Sequence, residues 1–210
     1  MNRAVIITSY IENPIDIKER LNSEDYVICT DGGYDIAMQQ GISPDLLLGD
    51  FDSIKSQIPE NVEIKRFRPE KDYTDLDLAM KTAAESGFSE LEILGGVGGR
   101  LDHTVANIQL LSHYDDCFDS LVMLDGRNKC FIINSKKVSN FVIKKEDNSY
   151  FSLFSLSEKC TGISIKGAKY PLYDHTLTRT FPLGVSNEFI EKNTVISIKD
   201  GTLLVVISKM

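Results

Sequence analysis

The chain has 210 residues, 42% hydrophobic and 26% charged, with 31 acids against 23 bases and a net charge of −8. That length allows one large domain or two small ones, each with its own core. The proportions are ordinary for a soluble globular protein, and no Lys/Arg-rich stretch offsets the acid excess, which argues against nucleic acid or an anionic membrane as a partner.

The N-terminal stretch MNRAVIITSYIENP carries one basic residue, a short apolar run and no small-residue cleavage site. It reads as a first strand, not a signal peptide, and nothing elsewhere reaches transmembrane length. Apolar runs then alternate with helix-like segments: AVIIT, IDIKERL, YVICTDGG, YDIAMQQG, DLLLGD, VEIKRF, DLDLAMKTAAESG and LEILGG. This order predicts a parallel α/β sheet with helices on its faces. The helix after Thr74 is the best defined, with Leu76, Ala79, Met80 and Ala83 on one stripe and Gly87 at the C-terminal end. Thr74 and Asp77 have capping-box spacing, and Asp75 falls in the first turn, off that stripe. A second helix is expected from about Asp102, with Leu101, Val105, Ile108 and Leu111 facing inward.

From about residue 120 the pattern changes to short, closely spaced strands, LVML, KCFII, VSNFVI, YFSLFSL, TGISI, TVISI and TLLVVIS. The expected fold class is therefore α/β plus all-β: a parallel α/β domain over residues 1–120, followed by a β-sandwich-like domain over 121–210. Within the latter, Asp200-Gly201 between two apolar runs signals a hairpin. The four cysteines, Cys29, Cys117, Cys130 and Cys160, form no C-x-x-C pair, and reduced thiols in a cytoplasmic protein are the simplest expectation.

In parallel sheets ligands collect beyond the carboxyl ends of the strands. Three clusters follow apolar runs at that position: Asp31-Gly32-Gly33, Gly49-Asp50-Phe51-Asp52 and Gly95-Gly96-Val97-Gly98-Gly99. Asp50 and Asp52, two apart on extended backbone, point to one side and suit a shared divalent cation, with Asp75 as a third acid. The same acids could instead be turn formers and caps. The GGVGGRLDH run presents backbone N–H groups without side-chain bulk, which suits phosphate. It matches neither the Walker A nor the G-x-G-x-x-G pattern. Arg100 is placed to grip a phosphate and Asp102 to orient it or to cap the helix. His103, His113 and His175 share no metal-ligand spacing.

In order, the blocks CTDGGYDIA, GDFDSI, KDYTDLDLA, ILGGVGGRLDHTVAN, GAKYPL and GVSNEF resemble the thiamine pyrophosphokinase family over residues 29–189. The resemblance implies transfer of a diphosphate from ATP to the hydroxyl of thiamine, with AMP released. It implies Mg²⁺ on Asp50, Asp52 and Asp75, and a nucleotide and phosphate site lined by Asp31, Gly32, Lys71, Asp72, Thr74, Gly98, Gly99, Arg100 and Asp102. Arg100 or Lys71 would steady developing charge, and Asp72 or Asp102 would accept the hydroxyl proton. Ser186 and Asn187 would meet thiamine, and the family works as homodimers with thiamine held between subunits. Some relatives stack a tryptophan on thiamine. This chain has no Trp, which leaves Tyr170, Tyr173, Phe181 and Phe189 as aromatic candidates. Two other readings stand beside it: a nucleotide-sugar transferase built on the D-x-D acids, and a non-catalytic nucleotide or thiamine sensor.

Overall fold

The computed structural model describes residues 2–51, 54, 56–57, 62–67 and 73–210. They divide into two compact units, up to Gly126 and from Arg127 onward.

The first unit is a parallel sheet of β1 (Arg3–Ile7), β2 (Tyr26–Thr30), β3 (Leu46–Gly49), β4 (Glu63–Arg66), β5 (Glu90–Leu94) and β6 (Ser120–Leu124). Their spatial order is β6-β5-β1-β2-β3-β4, every pairing parallel. β1, β2 and β3 are buried at nearly every position, which is why they read as unbroken apolar runs: both faces of the sheet are covered. One face packs Val5, Ile7, Val27, Cys29, Leu47 and Leu94 with Ile17 and Tyr34. α1 (Gly33–Gln39), α2 (Asp75–Glu85) and α3 (Leu101–Tyr114) follow β2, β4 and β5. Gly33 can open α1 because it has no side chain: a Cβ there would lie 2.2 Å from the Ile7 carbonyl oxygen.

α2 has the predicted anatomy. Thr74 caps it by accepting the Asp77 N–H at 3.2 Å, Leu76, Ala79, Met80 and Ala83 are its buried stripe, and Gly87 follows at φ 77°. Burial of Leu76 and Met80 contributes about 1.5–3 kcal/mol each.

Three sequence expectations are corrected in this unit. IDIKERL forms no helix but a single turn, in which the Ile17 carbonyl accepts from Arg20 and Leu21 N–H and the Ile17 side chain is fully buried. α3 keeps Leu111 inward as expected but turns Leu101 and Val105 outward. Leu101 and Val105 are 75% and 50% exposed, and the buried residues are Asn107, Leu111 and Tyr114. Two polar anchors set that rotation: Asn107 donates to the Gly96 carbonyl at 2.8 Å and Tyr114 donates its hydroxyl hydrogen to Asp77 at 2.6 Å. LVML, grouped by sequence with the C-terminal strands after residue 120, is β6 and pairs parallel with β5.

The second unit has two antiparallel four-stranded sheets. One, in the order β12-β9-β14-β7, contains β7 (Asn128–Asn134), β9 (Ser149–Ser155), β12 (Gly184–Glu188) and β14 (Thr202–Lys209). The other, β11-β10-β13-β8, contains β8 (Asn140–Lys144), β10 (Lys159–Lys166), β11 (Leu172–Thr178) and β13 (Asn193–Ser197). β9 buries every second residue, as a strand with one face on a core must. Asp200-Gly201 therefore does not close a hairpin. β13 and β14 belong to different sheets, and Asp200 bridges Thr161 at the end of the partner sheet. Gly201, at φ 109°, lets the chain cross: a Cβ would meet the Cys160 sulfur at 2.7 Å. All four cysteines are free, and among the described residues no helix is long and apolar enough to cross a membrane.

Candidate active site

β1 sits between β2 and β5, so the connections leaving β1 and β5 run to opposite sides and open a crevice at the carboxyl ends, the point where such sheets bind ligands. A cavity of about 530 Å³ lies there. Its walls come from Thr8, Ser9 and Tyr10 after β1, Thr30 at the end of β2, Thr74, Asp75 and Leu76 at the start of α2, Gly96, Gly98, Gly99 and Arg100 after β5, and His103 and Asn107 on α3.

The glycine loop is tied down by its own chain. Gly95 donates to the Leu124 carbonyl at 2.8 Å, Gly96 to the Tyr10 carbonyl at 3.1 Å, Gly98 to the Thr104 hydroxyl at 3.1 Å and Gly99 to the Glu12 carboxylate at 3.0 Å. Gly95, Gly96, Gly98 and Gly99 all have positive φ, the conformations L side chains resist. Arg100 follows and forms a two-pronged ion pair with Asp102, at 3.1 and 2.6 Å. The Arg100 guanidinium, with smaller help from the His103 N–H, holds the Asp102 carboxyl below the usual carboxylate range.

Asp31, which follows the cavity-lining Thr30 but is not itself part of the wall, leaves β2 at φ 39° and accepts the Phe51 N–H at 3.3 Å. Burial, a hydrogen bond shared with Asp75 and the charges of Asp75 and Asp50 push the Asp31 carboxyl up to about 7. Gly49 permits this arrangement, since a Cβ there would fall 1.6 Å from an Asp31 carboxylate oxygen. Phe51, at φ 68°, packs partly against the core, and the Arg66 guanidinium lies 4.9 Å from its ring centre. Asp31 is thus joined directly to Asp75, and the charge of Asp50 is close enough to act on it. Among the described residues no three His, Cys, Asp or Glu side chains stand at metal-holding spacing. Gly32 serves as the N-cap position of α1. Asp52, Lys71 and Asp72 lie outside the described residues.

In the second unit Ser186 is exposed at φ 57° and donates its N–H to the Ser152 hydroxyl at 3.0 Å. Asn187 is buried and committed to backbone. Its carbonyl accepts from Tyr170 and Glu188 N–H at 2.9 Å each, and its amide donates to the Tyr170 carbonyl at 2.8 Å. Asn187 thereby presents Tyr170, 57% exposed, at the surface. Tyr173 and Phe181 are exposed too, whereas Phe189 is buried against Phe151 and is core.

Sequence reasoning missed the TSYIEN segment. Thr8, Ser9 and Tyr10 line the cavity, and the signal was available, because they follow the first strand at the same rim as the glycine clusters. His103, given no role from its spacing, is exposed and lines the cavity.

Residues 17–122 match the family model for the thiamin pyrophosphokinase catalytic domain, and residues 139–203 match that for its vitamin B1 binding domain. The chain is 33% identical over 185 residues to thiamine pyrophosphokinase of Bacillus subtilis (strain 168), with 85% of each chain covered. It is 28% identical over 177 residues to thiamin pyrophosphokinase 1 of Caenorhabditis elegans, covering 80% of this chain and 72% of the relative. The crystal structure of the Bacillus subtilis thiamine pyrophosphokinase superposes with a TM-score of 0.89 at 28% identity, covering 99% of this chain and 98% of that one. Matched in both halves, and similar along nearly its whole length to a solved relative, the chain belongs to the thiamin pyrophosphokinase family.

Proposed function

We infer that the protein transfers the terminal diphosphate of ATP to the hydroxyl of thiamine, giving thiamine diphosphate and AMP. The observation that carries this reading is the cavity at the β1/β5 crevice, walled by the start of α2 and the glycine loop with Arg100, in a chain that carries both family domains. The thiamine hydroxyl oxygen attacks the β-phosphorus, the bond from that phosphorus to the oxygen shared with the α-phosphate breaks, and AMP leaves. Such a step depends on positioning and charge neutralisation.

The donor chemistry suits Mg²⁺: the acids offer hard carboxylate oxygens, and Mg²⁺ accepts a few carboxylates completed by water and phosphate oxygens. We place it on Asp50, Asp52 and Asp75, where it would neutralise phosphate charge. Arg100, whose Nε and Nη2 are held by Asp102, offers its positive charge to the phosphates, with Lys71 as a second cation. Both Asp102 oxygens are engaged by Arg100, which favours Asp72 as acceptor of the hydroxyl proton. Thr74, Gly98 and Gly99 shape the phosphate end, and Asp31 and Gly32 border it. Thiamine goes to the second unit near Ser186 and Asn187, between two copies of the chain, with exposed Tyr170 as the aromatic partner. The net charge of −8 suits its cationic thiazolium ring, and the acid excess with four free thiols fits a cytoplasmic enzyme.

Purified protein with ATP, Mg²⁺ and thiamine should form AMP and thiamine diphosphate in equal amounts, and none after chelation. ADP in place of AMP overturns diphosphate transfer, and binding without turnover favours a sensor.

A further inference from the structure

The segment after β1 does more than line the cavity. Residues 10–14 lie along the glycine loop and are fastened at both ends. The Tyr10 carbonyl accepts from Gly96 at 3.1 Å, and the Asn13 carbonyl accepts from Gly126 at 2.9 Å. Between these anchors one oxygen of Glu12 accepts both the Gly99 N–H and the Tyr10 hydroxyl hydrogen. Contact is close enough to need the glycines. A Cβ on Gly98 would meet the Glu12 carboxylate at 2.6 Å and its Cβ at 2.8 Å, and a Cβ on Gly99 would meet the Tyr10 ring at 2.8 Å. The missing side chains of Gly98 and Gly99 therefore make room for the chain's own strap, and Gly99 immediately precedes Arg100.

We propose that Glu12 is a positioning residue for ATP: it clasps the Gly98–Gly99 backbone to the strap and so fixes the wall of the cavity and the point from which Arg100 projects. The proposal rests on reading this cavity as the ATP phosphate site. Glu12 acts through the loop, not on the reacting atoms. A carboxylate bound by two donors holds its partners more firmly than neutral acceptors do, and the exposed position of Glu12 lets it be changed without opening the core. The side-chain amide of Gln keeps an acceptor there but loses the charge.

The experiment measures initial rates of AMP formation for wild type, Glu12→Ala and Glu12→Gln, with ATP and thiamine varied separately and thermal unfolding followed in parallel. Glu12→Ala should raise KM for ATP about 5- to 10-fold, the size of one ordinary hydrogen bond at an exposed site, while KM for thiamine moves less than about twofold. Glu12→Gln, which keeps the acceptor without the charge, should recover part of that loss. If KM for ATP is unchanged in Glu12→Ala, or rises equally with that for thiamine, the positioning role is wrong. If KM for ATP falls in both variants, Glu12 is a competing anion, which overturns the proposal. A wild type that does not turn over ATP and thiamine refutes the functional reading itself, which separates the two failures.

Discussion

Gly49→Ala tests whether the acid cluster beside the cavity is built as described. The added Cβ would stand 1.6 Å from one Asp31 carboxylate oxygen, 2.5 Å from its carboxyl carbon and 3.1 Å from the other oxygen. Ordinary non-bonded contact is about 3.5 Å, so the Asp31 carboxyl must retreat by roughly 2 Å. In retreating it gives up the Phe51 N–H and its register with Asp75. Gly49 also sits at φ 147°, and an L residue forced into such a Gly-only region costs about 1–3 kcal/mol. A lost hydrogen bond adds about 1 kcal/mol. A total of about 3 kcal/mol lowers Tm by about 6–12 °C in a protein of this size. Activity should suffer more: a misplacement near 1 Å can cost about 100-fold, so kcat/KM for ATP should fall by at least about that factor. Gly87→Ala is the control. Gly87 has φ 77° but open space around it, so it should lose about 1–2 kcal/mol from the backbone alone and keep its turnover. Calorimetry and AMP formation read the two effects separately. If Gly49→Ala turns over ATP as well as Gly87→Ala does, the Asp31–Gly49 contact does not organise the site.

Two further outcomes follow from other parts of the molecule. Burial pushes the Asp25 carboxyl up, but hydrogen bonds from Arg3 and the Asn22 N–H, with the Arg3 charge, outweigh it and leave Asp25 below its ordinary value. Asp25 faces Arg3, and Arg3 and Arg20 also hold Glu92. The native state therefore binds the Asp25 proton more weakly than the unfolded chain does. The stabilisation is full above the unfolded carboxylate pKa of about 3.9 and is lost as pH falls through the lower native value. Denaturant unfolding of wild type and Asp25→Asn should show a wild-type advantage at pH 7 that shrinks below about pH 4, and an advantage independent of pH rejects the linkage. Asn187→Ala should leave the Tyr170 N–H and carbonyl unpaired, at a cost of about 1–3 kcal/mol. It should raise KM for thiamine more than KM for ATP, and equal changes in both would remove Tyr170 from the thiamine site.

The residues legible without a structure were those whose role is local. LLLGDFDSI reads as a buried strand ending in acids because parallel strands are apolar on both faces and polar only where they leave the sheet, and Leu46–Gly49 is such a strand. The α2 stripe, its Thr74 cap and the trailing Gly87 depend on spacings of a few residues, so the chain itself displays them. The ordered acid and glycine blocks were sufficient to identify the family, and with it the reaction.

What the tertiary structure decided involves partners far apart in sequence. The rotation of α3 is set by Asn107 on Gly96 and Tyr114 on Asp77, polar contacts that an apolar count ranks below Leu101 and Val105. Asp200-Gly201 has the local chemistry of a hairpin, yet its two strands are claimed by different sheets through pairings with β7–β10. Asp31 owes its raised pKa to burial and to Asp75, 44 positions further along the chain. Glu12 meets Gly99 only because β1 and β5 are neighbours in the sheet. By itself the sequence determined which residue types stand at the strand ends and hence the chemistry available. The strand order decided which of those ends face one another, because burial of the sheet's two faces fixes neighbours that no local spacing records.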